Sequence, residues 1–317
     1  MGNCVQYGLF PNCCNNCDFC LREERRPYTK TKQLFWLDKI KENIKTLDWK
    51  NEYDFGISLL GGELYYITDK DVQESFLDLI DVIIEYVLKV SPNPNCRYST
   101  VTNGIYDPSF LYKVIDKIKD AVGIEKVDIN FSYDLKYRFH SEEARLQCLK
   151  NINDFHKRYN YKLGVQMILT QYVINEWRAG RFKVSKWIEE NIPDNMICFL
   201  YPHPIRTGRI LEDFQFNRKD LFDFLADLKE DSYETYVSFL LSCWNSCKFK
   251  HTGLKDRESR NVDVEAHPVL SDGKELINPT CGHSTLYQCY ADSDKCMLCD
   301  LITIDRDIFA DVEDFTI

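Results

Sequence analysis

The chain has 317 residues, which is long enough to bury a sizeable core and favours one large domain with a smaller one. A formal net charge of −10 and a pI near 5.2 argue against a protein that binds nucleic acid through its overall field. Fourteen cysteines in a long chain rich in Lys and Glu indicate metal binding in a reducing compartment, and not a short secreted disulfide scaffold. No run of about 18 apolar residues is present. We therefore expect a cytoplasmic protein that does not span a membrane.

Short apolar strands alternate with longer amphipathic helices along the chain. Strands are predicted at residues 4–9, 53–60, 97–102, 126–133, 162–170 and 196–202. Helices are predicted at residues 33–47, 69–90, 108–121, 141–159, 173–190 and 218–241. Alternating units of this kind predict a parallel sheet with helices outside. We expect an α/β fold, a partial (β/α)6 TIM-like barrel over residues 1–215, followed by a small cysteine-rich C-terminal domain over residues 216–317.

A cysteine loop lies between the first predicted strand and the first helix. Its sequence, CCNNCDFC over residues 13–20, spaces three thiols as C-x3-C-x2-C, with an aromatic residue before the last. Three thiolates on a short loop can hold three corners of an iron-sulfur cube and leave one iron open for chemistry. The loop resembles that of the radical S-adenosylmethionine (radical SAM) superfamily, in which methionine amino and carboxylate groups chelate the open iron. Cys13, Cys17 and Cys20 are thus candidate ligands of a 4Fe-4S cluster, with Cys14 spare; the alternative is a zinc knuckle or plain buried cysteines.

Two further motifs follow the second and third predicted strands. In barrels of this kind the loops at the carboxyl ends of the strands converge over one mouth and carry the reactive groups. Gly61, Gly62 and Glu63 resemble the GGE motif of the radical SAM family, whose acidic group meets the amino group of the bound methionine. Glycines allow close approach and a carboxylate suits an ammonium, although such a triplet alone is often only a turn. Asn103, in a Thr-Asn-Gly turn, resembles a turn of many family members and is a supporting candidate.

The fourth predicted strand has one polar face. Asp128, Asn130 and Ser132 alternate with apolar residues. In a parallel sheet covered on both sides, a polar face implies that it lines a space containing water. In the resembling proteins, a Ser at the end of this strand and an Arg further along contact the ribose and the carboxylate of the cofactor. Ser132 and Arg145 are the matching positions, and Arg138 is a close rival. The alternative is that Arg145 is only a solvated charge on the predicted helix over residues 141–159.

A second group of cysteines lies near the end of the sequence. Six of them fall between Cys243 and Cys299, which core packing explains poorly in an intracellular chain. The stretch from Cys281 to Cys299 resembles the opening of a SPASM or Twitch auxiliary-cluster domain, although the full seven-cysteine SPASM set is absent. The preferred prediction is a second 4Fe-4S cluster on Cys281, Cys296 and Cys299 with Cys243 or Cys247. A zinc site from the same thiols is the alternative, since Zn²⁺ also accepts four cysteines.

The resemblance implies a radical SAM enzyme, an oxidoreductase that reductively cleaves S-adenosylmethionine to methionine and a 5′-deoxyadenosyl radical. That radical abstracts a hydrogen from the substrate, and a donor such as flavodoxin or ferredoxin supplies the electron. An auxiliary-cluster domain favours a peptide or protein as the substrate. A small metabolite, sugar or nucleotide is the second interpretation, and a non-catalytic zinc-binding interaction protein is the third. The sequence identifies no catalytic side chain, substrate or product.

Overall fold

One parallel sheet organises this computed structural model, which describes residues 4–15, 17, 26–51, 53, 55–200 and 217–239. Its strands are β1 (Cys4–Gly8), β2 (Gly56–Leu60), β3 (Arg97–Thr102), β4 (Val127–Tyr133), β5 (Gly164–Ile168) and β6 (Met196–Leu200). Each strand pairs in parallel with the next one along the chain, so the order is β1-β2-β3-β4-β5-β6. Successive right-handed crossovers in one direction place all the helices on one face, as in a barrel. The predicted α/β partial (β/α)6 barrel is confirmed, and residues 240–317 lie outside the described part.

Helices connect the strands and follow the last one. They are α1 (Lys30–Ile44), α2 (Lys70–Ile83), α3 (Ser109–Val122), α4 (Glu142–Tyr159), α5 (Gln171–Arg178), α6 (Val184–Asn191) and α7 (Arg218–Asp231). Side-chain caps define the starts of α1, α2, α4, α5 and α7. For example, Ser141 accepts a hydrogen bond from the backbone N–H of Ala144, which satisfies a group that the first turn leaves unbonded. None of the described helices is long and apolar enough to cross a membrane.

The predicted single helix over residues 173–190 is wrong. The chain forms two shorter helices there, α5 and α6, separated by a turn at residues 179–183. Gly180 has a φ of +69° within this turn, a left-handed conformation that glycine adopts without steric cost and that stops a right-handed helix. The N–H of Gly180 donates to the carbonyl of Trp177 at 2.8 Å. A lone glycine in an amphipathic pattern did not signal this break, because glycine inside a helix is tolerated at moderate cost.

The two faces of the sheet differ in polarity, as the alternation along the fourth predicted strand indicates. Val127, Ile129 and Phe131 are buried, and the ring of Phe131 packs on that of Phe155 from α4 at 5.8 Å. Asp128 and Asn130 point to the opposite face and are half-buried. That face carries a polar network in which the Ser99 hydroxyl donates to Asp128 at 3.2 Å. The inner side of the partial barrel is therefore polar where β3 and β4 pair.

Helix α7 packs on the barrel through α5 and α6. The indole N–H of Trp177 donates to Asp227 at 2.7 Å, and the rings of Trp177 and Phe224 meet edge to face at 5.5 Å. The backbone N–H of Ser185 donates to Asp231 at 3.0 Å. These contacts join α7 to the same hydrophobic core as the strands. The division of the chain at residues 215 and 216 stays a prediction, because residues 240–317 lie outside the described part.

Replacing Phe155 by Ala should lower the free energy of unfolding by about 3 to 5 kcal/mol, because a fully buried ring is removed from a tight core. Leu146 on the same helix is 51% exposed, so Leu146→Ala is the matched control and should cost about 0.5 kcal/mol or less. Urea denaturation followed by circular dichroism measures both variants. Equal losses would show that the α4 face assigned to the core is not the one that stabilises the fold.

Candidate metal and cofactor site

The cysteine loop and the GGE motif are held together by backbone hydrogen bonds. Beyond the paired strands β1 and β2, the N–H of Gly62 donates to the carbonyl of Phe10 at 2.9 Å, and the N–H of Glu63 donates to that of Asn12 at 2.7 Å. Backbone hydrogen bonds between the two segments thus continue past the strands, as far as the residue before Cys13. The two motifs that the sequence places at strand ends therefore lie side by side, with a fixed register between them.

Gly62 is required by this close approach. A Cβ atom on Gly62 would lie 2.1 Å from the carbonyl oxygen of Asn12 and 2.6 Å from that of Pro11, and backbone atoms cannot move aside cheaply. A Cβ atom on Gly61 would instead meet the end of the Leu64 side chain at 2.2 Å. The sequence predicts a close approach at this glycine pair, and the approach observed at Gly62 is that of the chain preceding Cys13.

Glu63 carries a buried carboxylate that joins the GGE loop to the end of β3. Its Oε2 accepts from the backbone N–H of Asn103 at 2.7 Å, and its Oε1 accepts from the Thr102 hydroxyl at 2.9 Å and from the N–H of Tyr65 at 3.3 Å. Burial raises the pKa of this carboxyl to about 7, against the lowering effect of these donors. The predicted contact of Glu63 with a ligand amino group stays a prediction, and the structure adds a bridging role for the same carboxylate.

Asn103 lies against the first two cysteines. Its side-chain N–H donates to the sulfur of Cys14 at 3.5 Å and to that of Cys13 at 3.7 Å. Its Oδ1 accepts from the backbone N–H of Ile105 at 3.0 Å, which closes a local turn. With its backbone N–H held by Glu63, Asn103 brings the β3 end to the cysteine loop. The supporting candidate of the sequence analysis therefore contacts the thiol predicted as a metal ligand.

The three described cysteines of the loop have different surroundings. Cys13 is exposed and Cys17 is buried, and both sulfurs accept from Asn15, at 3.4 Å from its backbone N–H and at 3.2 Å from its side-chain N–H. A hydrogen bond with Cys13, together with burial, raises the pKa of the Cys14 thiol well above its ordinary value. A thiol that resists ionisation is a poorer metal ligand, and the spare role of Cys14 stays a prediction.

The predicted ligand sets extend beyond the described residues. Cys20 lies outside them, as do Cys243, Cys247, Cys281, Cys296 and Cys299. In the described part alone, no three His, Cys, Asp or Glu side chains converge as a metal site. Cys13 and Cys17 supply two of the three sulfurs predicted for the cluster. Their soft sulfur atoms, surrounded by N–H donors, suit an iron-sulfur centre in chemical type.

Arg138 reaches the cysteine loop from the turn that follows β4. Its Nη1 donates to the sulfur of Cys17 at 3.6 Å, and its carbonyl accepts from the side-chain N–H of Asn15 at 2.8 Å. The turn is shaped by Asp134, whose carboxylate accepts from the backbone N–H of Lys136 at 2.8 Å. Asp134 is almost fully buried, and burial raises its pKa to about 6. Arg138 is therefore a cation fixed beside a predicted ligand.

Arg145 has different partners. Its Nε donates to Glu142 at 2.7 Å, a second N–H donates to the same carboxylate, and Nη1 donates to the hydroxyl of Tyr133 at 3.3 Å. It lines a cavity of about 280 Å³ together with neighbours from the loop between β4 and α4 and the first residue of α4: Leu135, Lys136, Phe139, His140, Ser141 and Glu142. Ser132 is nearly buried at the end of β4. Both predicted residues lie at the carboxyl end of β4, but the described contacts of Arg145 are to α4 and β4.

Sequence reasoning did not single out Asn15, Asp134 or the pairing of Glu63 with Thr102. Asn15 stands inside the C-x3-C segment, and its position between two candidate ligands was an available signal. Asp134 follows a predicted strand directly, and an Asp at such a position favours an Asx turn. The bond from Thr102 to Glu63 joins residues far apart in the sequence, so no local pattern could indicate it.

Comparisons with known proteins give distant similarities only. No family model matches the chain, and a search of the curated proteins returns no match. The chain is similar to Streptococcus suis SuiB bound to the precursor peptide SuiA, with 12% identity and a TM-score of 0.44 over 75% of this chain and 50% of that chain. A second structure of SuiB gives 13% identity and a TM-score of 0.36 over 69% of this chain and 54% of that chain.

The chain thus spans about half the length of SuiB. Similarities this weak carry no assignment of fold or function. The barrel is established by its own strand order, and the resemblance to the radical SAM superfamily depends on three loops that the structure brings to one end of that barrel: the cysteine loop, Gly61 to Glu63, and Thr102 to Gly104.

Replacing Gly62 by Ala should destabilise the protein by about 1 to 3 kcal/mol, because the new methyl group collides with backbone atoms that cannot rotate away. Gly61→Ala is the matched control, since its methyl group meets a side-chain end that can change rotamer. Urea denaturation of both variants measures the difference. A loss in Gly61→Ala as large as that in Gly62→Ala would contradict a specific backbone constraint at Gly62.

Proposed function

We propose that the protein is a radical SAM enzyme. The observation that supports this most is the backbone pairing of Gly62 and Glu63 with Phe10 and Asn12, because it sets the C-x3-C-x2-C loop beside the GGE loop at the carboxyl ends of parallel barrel strands. Reactive groups of such barrels occupy that end. Either motif alone is compatible with an ordinary turn, whereas their fixed juxtaposition is specific.

Under this proposal Cys13, Cys17 and Cys20 hold a 4Fe-4S cluster, and the loop of Gly61, Gly62 and Glu63 faces the amino group of S-adenosylmethionine. Ser132 and Arg145, or Arg138, contact the ribose and the carboxylate. A reduced cluster held by these cysteines would supply the electron for reductive cleavage of S-adenosylmethionine to methionine and a 5′-deoxyadenosyl radical, and that radical would take a hydrogen from the substrate. A donor such as flavodoxin or ferredoxin in the cytoplasm would provide the electron.

The residues of this chain orient the bound groups and keep water away from them. Glu63, Asn103 and Ser132 are nearly inaccessible to solvent, so polar contacts at these positions act in a medium where they are stronger than in water. In its ionised form the Glu63 carboxylate can accept a hydrogen bond from an ammonium group, although burial raises its pKa to about 7. Arg138, beside Cys17, can hold a carboxylate next to the cysteine loop.

A peptide or protein is the proposed substrate class. It is supported by the resemblance of the C-terminal cysteines to a SPASM or Twitch domain, in which Cys281, Cys296 and Cys299 with Cys243 or Cys247 would hold a second 4Fe-4S cluster. SuiB has been crystallised with a precursor peptide, which is a property of SuiB. A small-molecule substrate is the competing proposal. Zinc bound by the same C-terminal thiols is the competing metal assignment.

Iron content and cofactor cleavage test the function directly. The anaerobically purified protein should carry about eight irons per chain if both clusters form and should produce 5′-deoxyadenosine with a strong reductant. The triple replacement of Cys13, Cys17 and Cys20 by Ala should remove about four irons and abolish cleavage. Cys14→Ala is the matched control and should leave both nearly intact. Cleavage that survives the triple replacement would overturn the proposal.

A second variant in the same assay tests whether the C-terminal cysteines hold a separate cluster. Replacing Cys281 and Cys299 by Ala should leave about four irons and preserve 5′-deoxyadenosine formation, because the first cluster is retained. Four irons together with stoichiometric zinc in the unmodified protein would replace the second cluster by a structural zinc site. Candidate precursor peptides and small metabolites can then be compared by deuterium transfer into 5′-deoxyadenosine.

Variants of Arg138 and Arg145 test which of the two arginines contacts the carboxylate of S-adenosylmethionine. The resemblance assigns it to Arg145, whereas the geometry favours Arg138, because Arg145 already binds Glu142 and Tyr133. We expect Arg138→Ala to weaken S-adenosylmethionine binding about ten- to hundredfold, the effect of losing one charge-assisted contact, and Arg145→Ala to weaken it less. Equilibrium titration measures both, with iron content as the control for an intact cluster. A larger loss of affinity in Arg145→Ala than in Arg138→Ala would assign the carboxylate contact to Arg145.

A further inference from the structure

We infer that Asn15 and Asn103 are positioning residues that set the reduction potential of the cluster predicted on the cysteine loop, by donating hydrogen bonds to its ligand sulfurs. The inference rests on the proposed function, because it requires that Cys13 and Cys17 are cluster ligands. It extends that function to two residues outside the ligand set. It also assigns them an effect that can be measured without substrate turnover.

The two asparagines approach the sulfurs from different parts of the fold. Asn15 donates to Cys17 through its side chain at 3.2 Å and to Cys13 through its backbone at 3.4 Å. Asn103, at the end of β3, donates to Cys13 at 3.7 Å and to Cys14 at 3.5 Å. Each described ligand sulfur therefore has at least one N–H donor from a neutral amide. Two of these donors belong to side chains, so substitution can remove them.

Both amides are held in place independently of the sulfurs. The second side-chain N–H of Asn15 donates to the carbonyl of Arg138 at 2.8 Å. Asn103 is fixed by the bond from its backbone N–H to Glu63 at 2.7 Å and by the bond from the N–H of Ile105 to its Oδ1 at 3.0 Å. Because other groups of the fold orient these amides, their N–H dipoles stay directed at the sulfurs when the charge of the centre changes.

The expected direction follows from electrostatics. Adding one electron to a thiolate-bound iron-sulfur centre increases the negative charge that its sulfurs share. N–H donors stabilise that added charge more than the oxidised form, and hydrogen bonds to sulfur are among the factors that set cluster potentials. Loss of a donor should therefore make the centre harder to reduce. The bond from Asn15 to Cys17 is the shortest, so its loss should have the largest effect.

A redox titration of the anaerobically reconstituted protein, followed by electron paramagnetic resonance, tests the inference. Dithionite supplies one electron to the oxidised centre, and no covalent bond forms or breaks. At the wild-type midpoint, Asn15→Ala and Asn103→Ala should each lower the ratio of reduced to oxidised centre about three- to tenfold. Tenfold corresponds to a shift of about 59 mV for a one-electron couple. Asn103→Asp should shift the potential further in the same direction, because it keeps the acceptor for Ile105, loses the donor and adds a negative charge beside the sulfurs.

Asn151 supplies the matched control. Its side-chain N–H groups donate to the carbonyls of Gly104 and Tyr106, each at 2.8 Å, so Asn151 supports the same β3 loop, and its described bonds involve no cysteine sulfur. Asn151→Ala should leave the potential near its wild-type value even where it lowers stability. A shift in Asn151→Ala as large as that in Asn103→Ala would show that loop position, and not the donor, controls the potential, and would overturn the inference.

The remaining outcomes distinguish a failure of this inference from a failure of the proposed function. If the unmodified protein binds no iron-sulfur cluster, the proposed function itself fails. If it binds one and the double variant Asn15→Ala with Asn103→Ala keeps the wild-type potential, the function stands and the inference is wrong. If the asparagine variants lose iron altogether while Asn151→Ala retains it, the amides are needed for assembly of the centre and the assignment to its potential is overturned.

Discussion

Glu63 is the residue on which the arrangement of the strand ends depends. Its backbone N–H binds the chain leading from β1 into the cysteine loop, and its carboxylate binds Thr102 and Asn103 at the end of β3. Burying an ionised carboxylate is costly, and these donors offset part of the cost. Since its pKa is raised from 4.5 to about 7, its contribution to stability is fully present below the ordinary pKa and is lost as the pH rises through about 7.

Strand order, strand positions and the loops that carry the motifs could be predicted from the sequence, because each depends on local periodicity and on the rule that crossovers are right-handed. The break at Gly180 could not, since a glycine in a helical pattern predicts neither continuation nor arrest. The choice between Arg138 and Arg145 also escapes the sequence. Both follow β4 closely, and the turn that Asp134 shapes decides which guanidinium reaches Cys17.

The polar inner face fits a sheet that does not close within the described residues, where neither β1 nor β6 pairs with a further strand. Closed eight-stranded barrels fill their interior with side chains. A six-stranded sheet that does not close leaves its inner face partly open, and an apolar lining there would be exposed to water. Ser99, Asp128 and Asn130 satisfy one another along that face. That part of the sheet can therefore face solvent with its polar side chains paired.

Under the proposed function, the site also has to accommodate negative charge in a chain whose net charge is −10. Cysteine thiolates, an electron added to a cluster and a methionine carboxylate are all disfavoured by such an overall field. The fold opposes that field locally, because field effects from exposed charges are screened within about 10 Å whereas buried contacts are not. The guanidinium of Arg138 and the amides of Asn15 and Asn103 all point at cysteine sulfurs. Short-range donors held in place by the fold can thus stabilise an anionic centre in an acidic protein.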